Sequence, residues 1–276
     1  MTIEKAEKKG RFTDAHIHAE PYAQEEWPRV LQRAQEAGVV RIVVSGMDLN
    51  TSLQALAITR SSPILLASVG LHPWLAARGL PENLADRLAT LAEDPNVAAI
   101  GEVGLDLVDN CAGTIFFDQP ALFDLQVEAF RLQIRLAVSG RLPLIVHARG
   151  AYPQVISILR EERAERARGL VHNFEGTPQE AEALWELGFY VSFGGAITYP
   201  EAAQLHETAR SVPLRQILLE TDAPYMPLYQ QETRDNEPAY VVRVAQKLAE
   251  LKRLPLEEVA EATYCNFLDL FPEKEN

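Results

Sequence analysis

Eight short apolar runs alternate along this chain with amphipathic stretches of helical period, and that alternation narrows the possible folds more than any other feature. The runs are Phe12 to His18, Val39 to Ser45, Ile64 to Gly70, Val97 to Glu102, Leu142 to His147, Gly169 to Asn173, Phe189 to Phe193 and Gln216 to Asp222. Several are nearly continuous in Val, Ile and Leu, as in VVRIVV, ILLASV, LPLIV and ILLE. Strands buried on both faces of a parallel sheet have that composition, and helices must then cover the sheet. Between the fourth and fifth runs Phe123, Val127, Phe130, Ile134 and Ala137 recur at helical spacing and form one apolar stripe.

Open doubly wound sheets and closed barrels both alternate strands with helices. The polar residues decide between them. His16, His18, Glu102, His147, His172 and Asp222 lie at or just past the C-terminal ends of runs one, four, five, six and eight. A single site that draws on the first and last strands and on the middle of the order requires a closed ring, and barrels gather their active sites at that rim. The expected fold is therefore α/β, a single (β/α)8 TIM barrel over residues 11–276, with residues 1–10 a disordered polar tail. After Asp222 a Pro-rich polar loop, PYMPLYQQETRDNEP, leads into two further amphipathic helices, Ala239 to Leu251 and Leu256 to Phe271, which close and cap the barrel.

The chemistry begins with His16 and His18. On a strand a spacing of two points both imidazoles to one face, where they can grip one cation. Alone the pair means little, but Glu102 in IGEVGLD, His147 in LIVHAR, His172 in LVHNFEG and Asp222 in LLETDAPY each interrupt an apolar run. A charge there is costly to bury without a partner. The six residues together point to a two-cation centre of Zn, Mn or Mg, with imidazole favouring Zn and carboxylate widening the choice. Lysines stand only at positions 5, 8, 9, 247, 252 and 274, none in a run, which excludes a carboxylated lysine between the cations. Glu102, near the middle of the strand order, can place one oxygen on each cation and partly offset their repulsion. Arg149, two residues past His147 and on the same face, can clamp a phosphate or a carboxylate.

These segments resemble the TatD family of metal-dependent hydrolases, within the wider amidohydrolase-like barrels. The likeness runs from about Phe12 to Phe271 and is carried by DAHIHAE, GLHPW, IGEVGLD, the stretch from Gln126 to Arg149 ending in PLIVHAR, VHNFEG, LETDAPY and RDNEP. It implies a first cation on His16, His18, Glu102 and Asp222, and a second on Glu102, His147 and His172. It further implies that His72 faces substrate without ligating metal, and that Arg234 and Asn236 face substrate from the loop after strand eight. By the same resemblance the activity is that of a deoxyribonuclease. A metal-bound water, oriented by Asp222 and deprotonated by it to hydroxide, is the expected nucleophile, and Glu102 and Asp222 are the expected catalytic carboxylates. The chain departs from the family pattern at His172-Asn-Phe-Glu175-Gly, where HCFSG is common, and at Arg234-Asp235-Asn236, where RRNEP is common. Both changes make the rim more acidic. GGAITYP and LETDAPYMPL resemble a less characterised branch of the family.

Charge limits the partners. A net charge of −13 opposes a broad electrostatic grip on a long polyanion, so short or single-stranded DNA ends, or a small phosphoester or ester, fit better than duplex. Esters, lactones, amides and aminoacyl-tRNA esters stand as the alternative substrates, because the same nucleophile attacks carbonyls. A catalytically silent scaffold would have lost a ligand, and all six are present. No apolar run approaches the roughly 20 residues of a membrane span, the N-terminus lacks the apolar core of a secretory signal, and two cysteines, Cys111 and Cys265, do not make a disulfide framework. The expectation is a cytoplasmic protein, with a monomer preferred because the sequence shows no exposed apolar face.

Overall fold

The computed structural model describes residues 10–22, 25–108, 120–231 and 236–272. Residues 1–9 of the expected tail, Cys111 and Arg234 lie outside the described residues. Eight strands lie side by side in chain order: β1 (Phe12–Ile17), β2 (Val39–Ser45), β3 (Leu65–Val69), β4 (Val97–Asp106), β5 (Leu144–Arg149), β6 (Gly169–Val171), β7 (Phe189–Phe193) and β8 (Ile217–Leu219). Each pairs in parallel with its neighbour. The ring is drawn together between its ends by Asp222 N–H donating to His16 O at 3.0 Å and His18 N–H donating to Ala223 O at 2.7 Å. The architecture is the expected TIM barrel.

Helices α1 (Trp27–Glu36), α2 (Leu49–Thr59), α3 (Pro73–Ala76), α4 (Leu84–Ala92), α5 (Pro120–Gly140), α6 (Tyr152–Glu161), α7 (Pro178–Glu186) and α8 (Ala203–Ser211) intervene between successive strands. Their starts follow local chemistry. The Asp48 carboxylate accepts from Thr51 N–H to open α2, and Thr177 with Glu180 forms a reciprocal box at α7. The stripe expected on α5 faces inward, with Phe130, Ile134 and Ala137 fully buried. No helix among the described residues is long and apolar enough to cross a membrane.

The two final helices are α9 (Val241–Lys252) and α10 (Leu256–Leu270). Inside the ring, Val43, Ala99, Ile145, Leu170 and Leu218 form one apolar cluster with Phe267, Leu270 and Phe271. Asn266 Nδ2 of α10 donates to Ile217 O at the start of β8, and Asp269 accepts from Arg168, just before β6, so α10 seals the N-terminal end. Two residues beyond Ile145, Leu170 and Leu218 come His147, His172 and Glu220, so the strand period carries an apolar interior below into a polar one above.

Strand ends differ from expectation where the site begins. β4 runs four residues past Glu102, to Asp106, whereas β6 and β8 stop at Val171 and Leu219. His18, His172 and Asp222 therefore stand on segments that leave the strands. Asp222 has φ +56°, in the left-handed region that strands never use, so the ladder has ended before that residue.

Candidate metal centre

The structure brings all six expected ligands together. His16 and His18 point their Nε2 atoms into one space, 3.1 Å apart. Each lies 3.4 Å from Glu102 Oε2, and they lie 3.7 and 3.6 Å from Asp222 Oδ1. On the other side, His147 Nδ1 and His172 Nε2 each lie 2.9 Å from Glu102 Oε1 and 3.1 Å from each other. Glu102 thus offers one oxygen to each half. Gly104 permits this approach: its φ is +138°, and a Cβ there would sit 2.0 Å from His147 O.

Hydrogen bonds set which ring nitrogen each histidine presents. His18 Nδ1 is 3.1 Å from the carbonyl of Ser45, which only accepts, so Nδ1 carries the proton and Nε2 faces the centre bare. His147 donates from Nε2 to Asp106 Oδ2 at 2.8 Å and presents Nδ1. His172 Nδ1 faces Glu220 Oε1 at 3.4 Å and presents Nε2. His16 Nδ1 lies 3.1 Å from Ser45 Oγ. His72 is the opposite case. Its Nδ1 accepts from Trp74 N–H at 3.2 Å, so its Nε2 carries hydrogen, directed at Glu102 Oε1 at 3.1 Å. His72 therefore presents a donor, not a lone pair.

Bare nitrogens that face carboxylate oxygens at such distances repel unless protons or cations lie between them. Glu102 Oε2 is buried and has no hydrogen-bond partner. His16 with His172 and Asp222, His16 with His18 and Glu102, and His72 with Glu102 and His147 each form a group whose donor atoms lie within 4.8 Å of one another. The donor set fits divalent cations. By themselves the side chains respond by holding protons. Burial opposes a charge on His18, but Glu102, Asp222 and Glu20 outweigh it and push the group up to about 9. His147 and His172 are raised against burial by Asp106 and Glu102, and by Glu102 and Glu220, respectively. Burial also opposes ionised Glu102, yet the imidazoles around it hold its carboxyl well below the ordinary value. Burial brings His16 and His72 down to about 4 and lifts Asp222 to about 7.

Residues expected to contact substrate divide. His72 and Arg149 line a cavity of about 540 Å³ that opens over the centre. Asn236 does not. It is fully buried, and its Nδ2 donates to Thr221 O (2.7 Å), Tyr225 O (2.7 Å) and Met226 O (3.1 Å). Its amide ties together the turn that carries Asp222.

The sequence reading did not single out four supporting residues. Asp106 accepts from His147 and from Trp74 Nε1, Glu220 from His172 and Ser192, and Ser45 supports both His16 and His18. Asp14 is buried in β1 and accepts from Thr221 N at 3.0 Å and Thr221 Oγ1 at 2.6 Å, joining β1 to the turn before Asp222. A signal was present: Asp14, Asp106 and Glu220 are carboxylates in or just past apolar strands, as Glu102 is.

Known proteins share this arrangement of chain. The family model described as TatD related DNase matches residues 13–272. The metal-dependent hydrolase YabD of Bacillus subtilis is 37% identical over 259 residues, spanning 94% of this chain and 97% of YabD. The 3'-5' ssDNA/RNA exonuclease TatD of Erwinia tasmaniensis is 33% identical over 249 residues, 88% of this chain and 92% of that protein. The crystal structure of YjjV, a TatD homologue from Escherichia coli, superposes with a TM-score of 0.86 at 33% identity, covering 95% of this chain and 98% of YjjV.

Proposed function

Since the chain belongs to the TatD-related DNase family of metal-dependent hydrolases, we propose that it hydrolyses phosphodiester bonds at single-stranded nucleic-acid ends, using two divalent cations that Glu102 would help to hold. The observation that carries this reading is the divided carboxylate of Glu102, with one oxygen facing His16 and His18 and the other facing His147 and His172. His16, His18, Glu102 and Asp222 would hold the first cation, and Glu102, His147 and His172 the second. When bound, the pair supplies Lewis acidity, which makes a water acidic and neutralises charge on the reacting phosphate.

The protein's own groups do the rest. Asp222 orients the attacking water and accepts its proton from the edge of the cavity. His72, with Nδ1 held by Trp74 N–H, directs its Nε2–H at Glu102 Oε1 and would turn it to the oxygen where negative charge grows once a cation takes up that carboxylate oxygen. Arg149, the one lysine or arginine among the described cavity-lining residues, pairs with the phosphate. The phosphorus–oxygen bond to the leaving alcohol then breaks, with no covalent link to the enzyme.

The substrate class rests on the Erwinia relative named for ssDNA and RNA, and on the mouth of the site. Tyr225 and Met226 line the cavity and are 48% and 36% exposed, flat or polarisable surfaces on which unpaired bases stack. A charge of −13 disfavours a long duplex. One feature favours a smaller or neutral ester instead: Glu175 shares the mouth with Arg149. Labelled single-stranded DNA and a panel of carboxylic esters, offered to wild-type and Asp222→Asn protein with Mg, Mn or Zn, separate the two. The proposal expects cation-dependent DNA cleavage that falls by about a hundredfold or more in the variant. Unchanged DNA cleavage by the variant, or cleavage of esters alone, refutes it.

A further inference from the structure

Four imidazoles in the centre are supported from behind by two different chemistries. His16 and His18 rest on neutral groups of one residue, the hydroxyl and the carbonyl of Ser45, each at 3.1 Å. His147 and His172 rest on carboxylates, Asp106 at 2.8 Å and Glu220 at 3.4 Å. Both carboxylates are fully buried, and among the described residues neither pairs with a lysine or an arginine. A lone buried carboxylate costs several kcal/mol unless positive charge lies close by. The positive charge that can serve both lies on the imidazoles they touch or in the space between His147, His172 and Glu102.

We propose that Asp106 and Glu220 are positioning residues for the second cation, fixing the bare nitrogens of His147 and His172 and governing occupancy of that position alone. The proposal rests on the two-cation reading above. A carboxylate behind a ligating imidazole locks its tautomer and strengthens it as an electron donor, and removing such a group weakens metal binding by about 10- to 100-fold. Asp106 also links the rim to the centre, because its Oδ2 accepts from Trp74 Nε1 (2.7 Å) as well as from His147.

Counting donors gives unequal outcomes for the two isosteric amides. Asp106 receives N–H groups on both oxygens, Val108 N (2.8 Å) on Oδ1 and Trp74 and His147 on Oδ2. The Val108 and Trp74 groups can only donate. An asparagine must therefore turn its NH2 against an obligate donor whichever way it lies, and in one orientation it also drives the His147 proton onto Nδ1, toward the cation. Glu220 differs. Its Oε1 receives His172 Nδ1 and Asn173 N (2.8 Å), and its Oε2 receives the Ser192 hydroxyl, which accepts as readily as it donates. A glutamine fits there with its oxygen toward His172 and its NH2 toward Ser192.

Equilibrium dialysis of the full-length protein against Mn, with bound metal counted by atomic absorption and the Tm of each cation-free protein read alongside, tests this. Wild type should bind two Mn per chain. Asp106→Asn and Glu220→Ala should each keep one at wild-type affinity and bind the other about 10- to 100-fold more weakly. Glu220→Gln should keep both and lose clearly less affinity than Glu220→Ala, since its hydrogen bonds survive although its charge does not. If Asp106→Asn unfolds, the contrast between Gln and Ala at position 220 still decides. Two tight Mn in Asp106→Asn or Glu220→Ala overturns the proposal, as does an equal loss in Glu220→Gln and Glu220→Ala. Fewer than two Mn in wild type refutes the two-cation reading itself.

Discussion

At the N-terminal end of the barrel, Val43, Ile145, Leu170 and Leu218 pack against Phe267, Leu270 and Phe271 of α10; at the other end, two residues along the same strands, stand Ser45, His147, His172 and Glu220. The lower layer is buried because leaving water stabilises it, by about 1.5–3 kcal/mol for each large apolar side chain. The upper layer is buried although leaving water costs its polar groups free energy, which hydrogen bonds and opposed charges among them offset. One sheet thus separates the work of staying folded from the work of binding and reacting, and each end can be perturbed without the other.

Glu102→Gln should be the sharpest break at the upper end. Turnover with any cation should fall by about a thousandfold or more, because one half loses its oxygen donor to an NH2 and the other keeps only a neutral amide oxygen. The cation-free protein should still melt cooperatively near the wild-type temperature, read by circular dichroism. A variant that binds and hydrolyses normally would remove Glu102 from the centre. Phe267→Ala reverses the pattern at the lower end. Its cavity should cost about 3–5 kcal/mol in urea unfolding, while kcat/KM measured well below the Tm stays near wild type. A large activity loss in fully folded Phe267→Ala would show that the two ends are not independent.

A pH series refines the upper end. His18, raised to about 9, carries a proton near neutrality when no cation is present, and a cation on Nε2 must displace it. Cation uptake should release protons, and the apparent Kd should tighten by up to about tenfold per pH unit per proton between pH 6 and 8. Titration calorimetry in two buffers of different ionisation enthalpy reads the proton count, and a pH-independent Kd contradicts the assignment. The smallest effect belongs to Asp269 below, whose carboxyl is held under its ordinary value by hydrogen bonds from Tyr190 and Arg168. A depressed carboxyl stabilises above its unfolded value of 3.8, and that contribution is lost as pH falls through the folded value. Because the group is more than half exposed, Asp269→Asn should cost less than about 1 kcal/mol at pH 7, an effect that shrinks as pH falls below 3.8, and should leave turnover alone.

The closed barrel and the meeting of His16, His18, Glu102, His147, His172 and Asp222 were legible because each polar residue broke an apolar run at a countable place. What escaped reading depends on neighbours across strands. Asp106 reaches His147 because β4 continues past Glu102 and pairs Gly104 with His147, a register that no single run reveals. Glu220 reaches His172 across two strand positions, and the role of Ser45 needs β1 and β2 side by side. The backbone bonds of Asn236 escaped reading because a loop amide bonded to three backbone carbonyls has no sequence period.

Crystals grown with Mn or Zn, measured for anomalous scattering at the metal edge, put the question to the molecule directly. Two peaks about 3.5–4 Å apart are expected, one among His16, His18 and Asp222 and one between His147 and His172, with an oxygen of Glu102 on each. A single peak, or peaks that Glu102 does not join, would contradict the account.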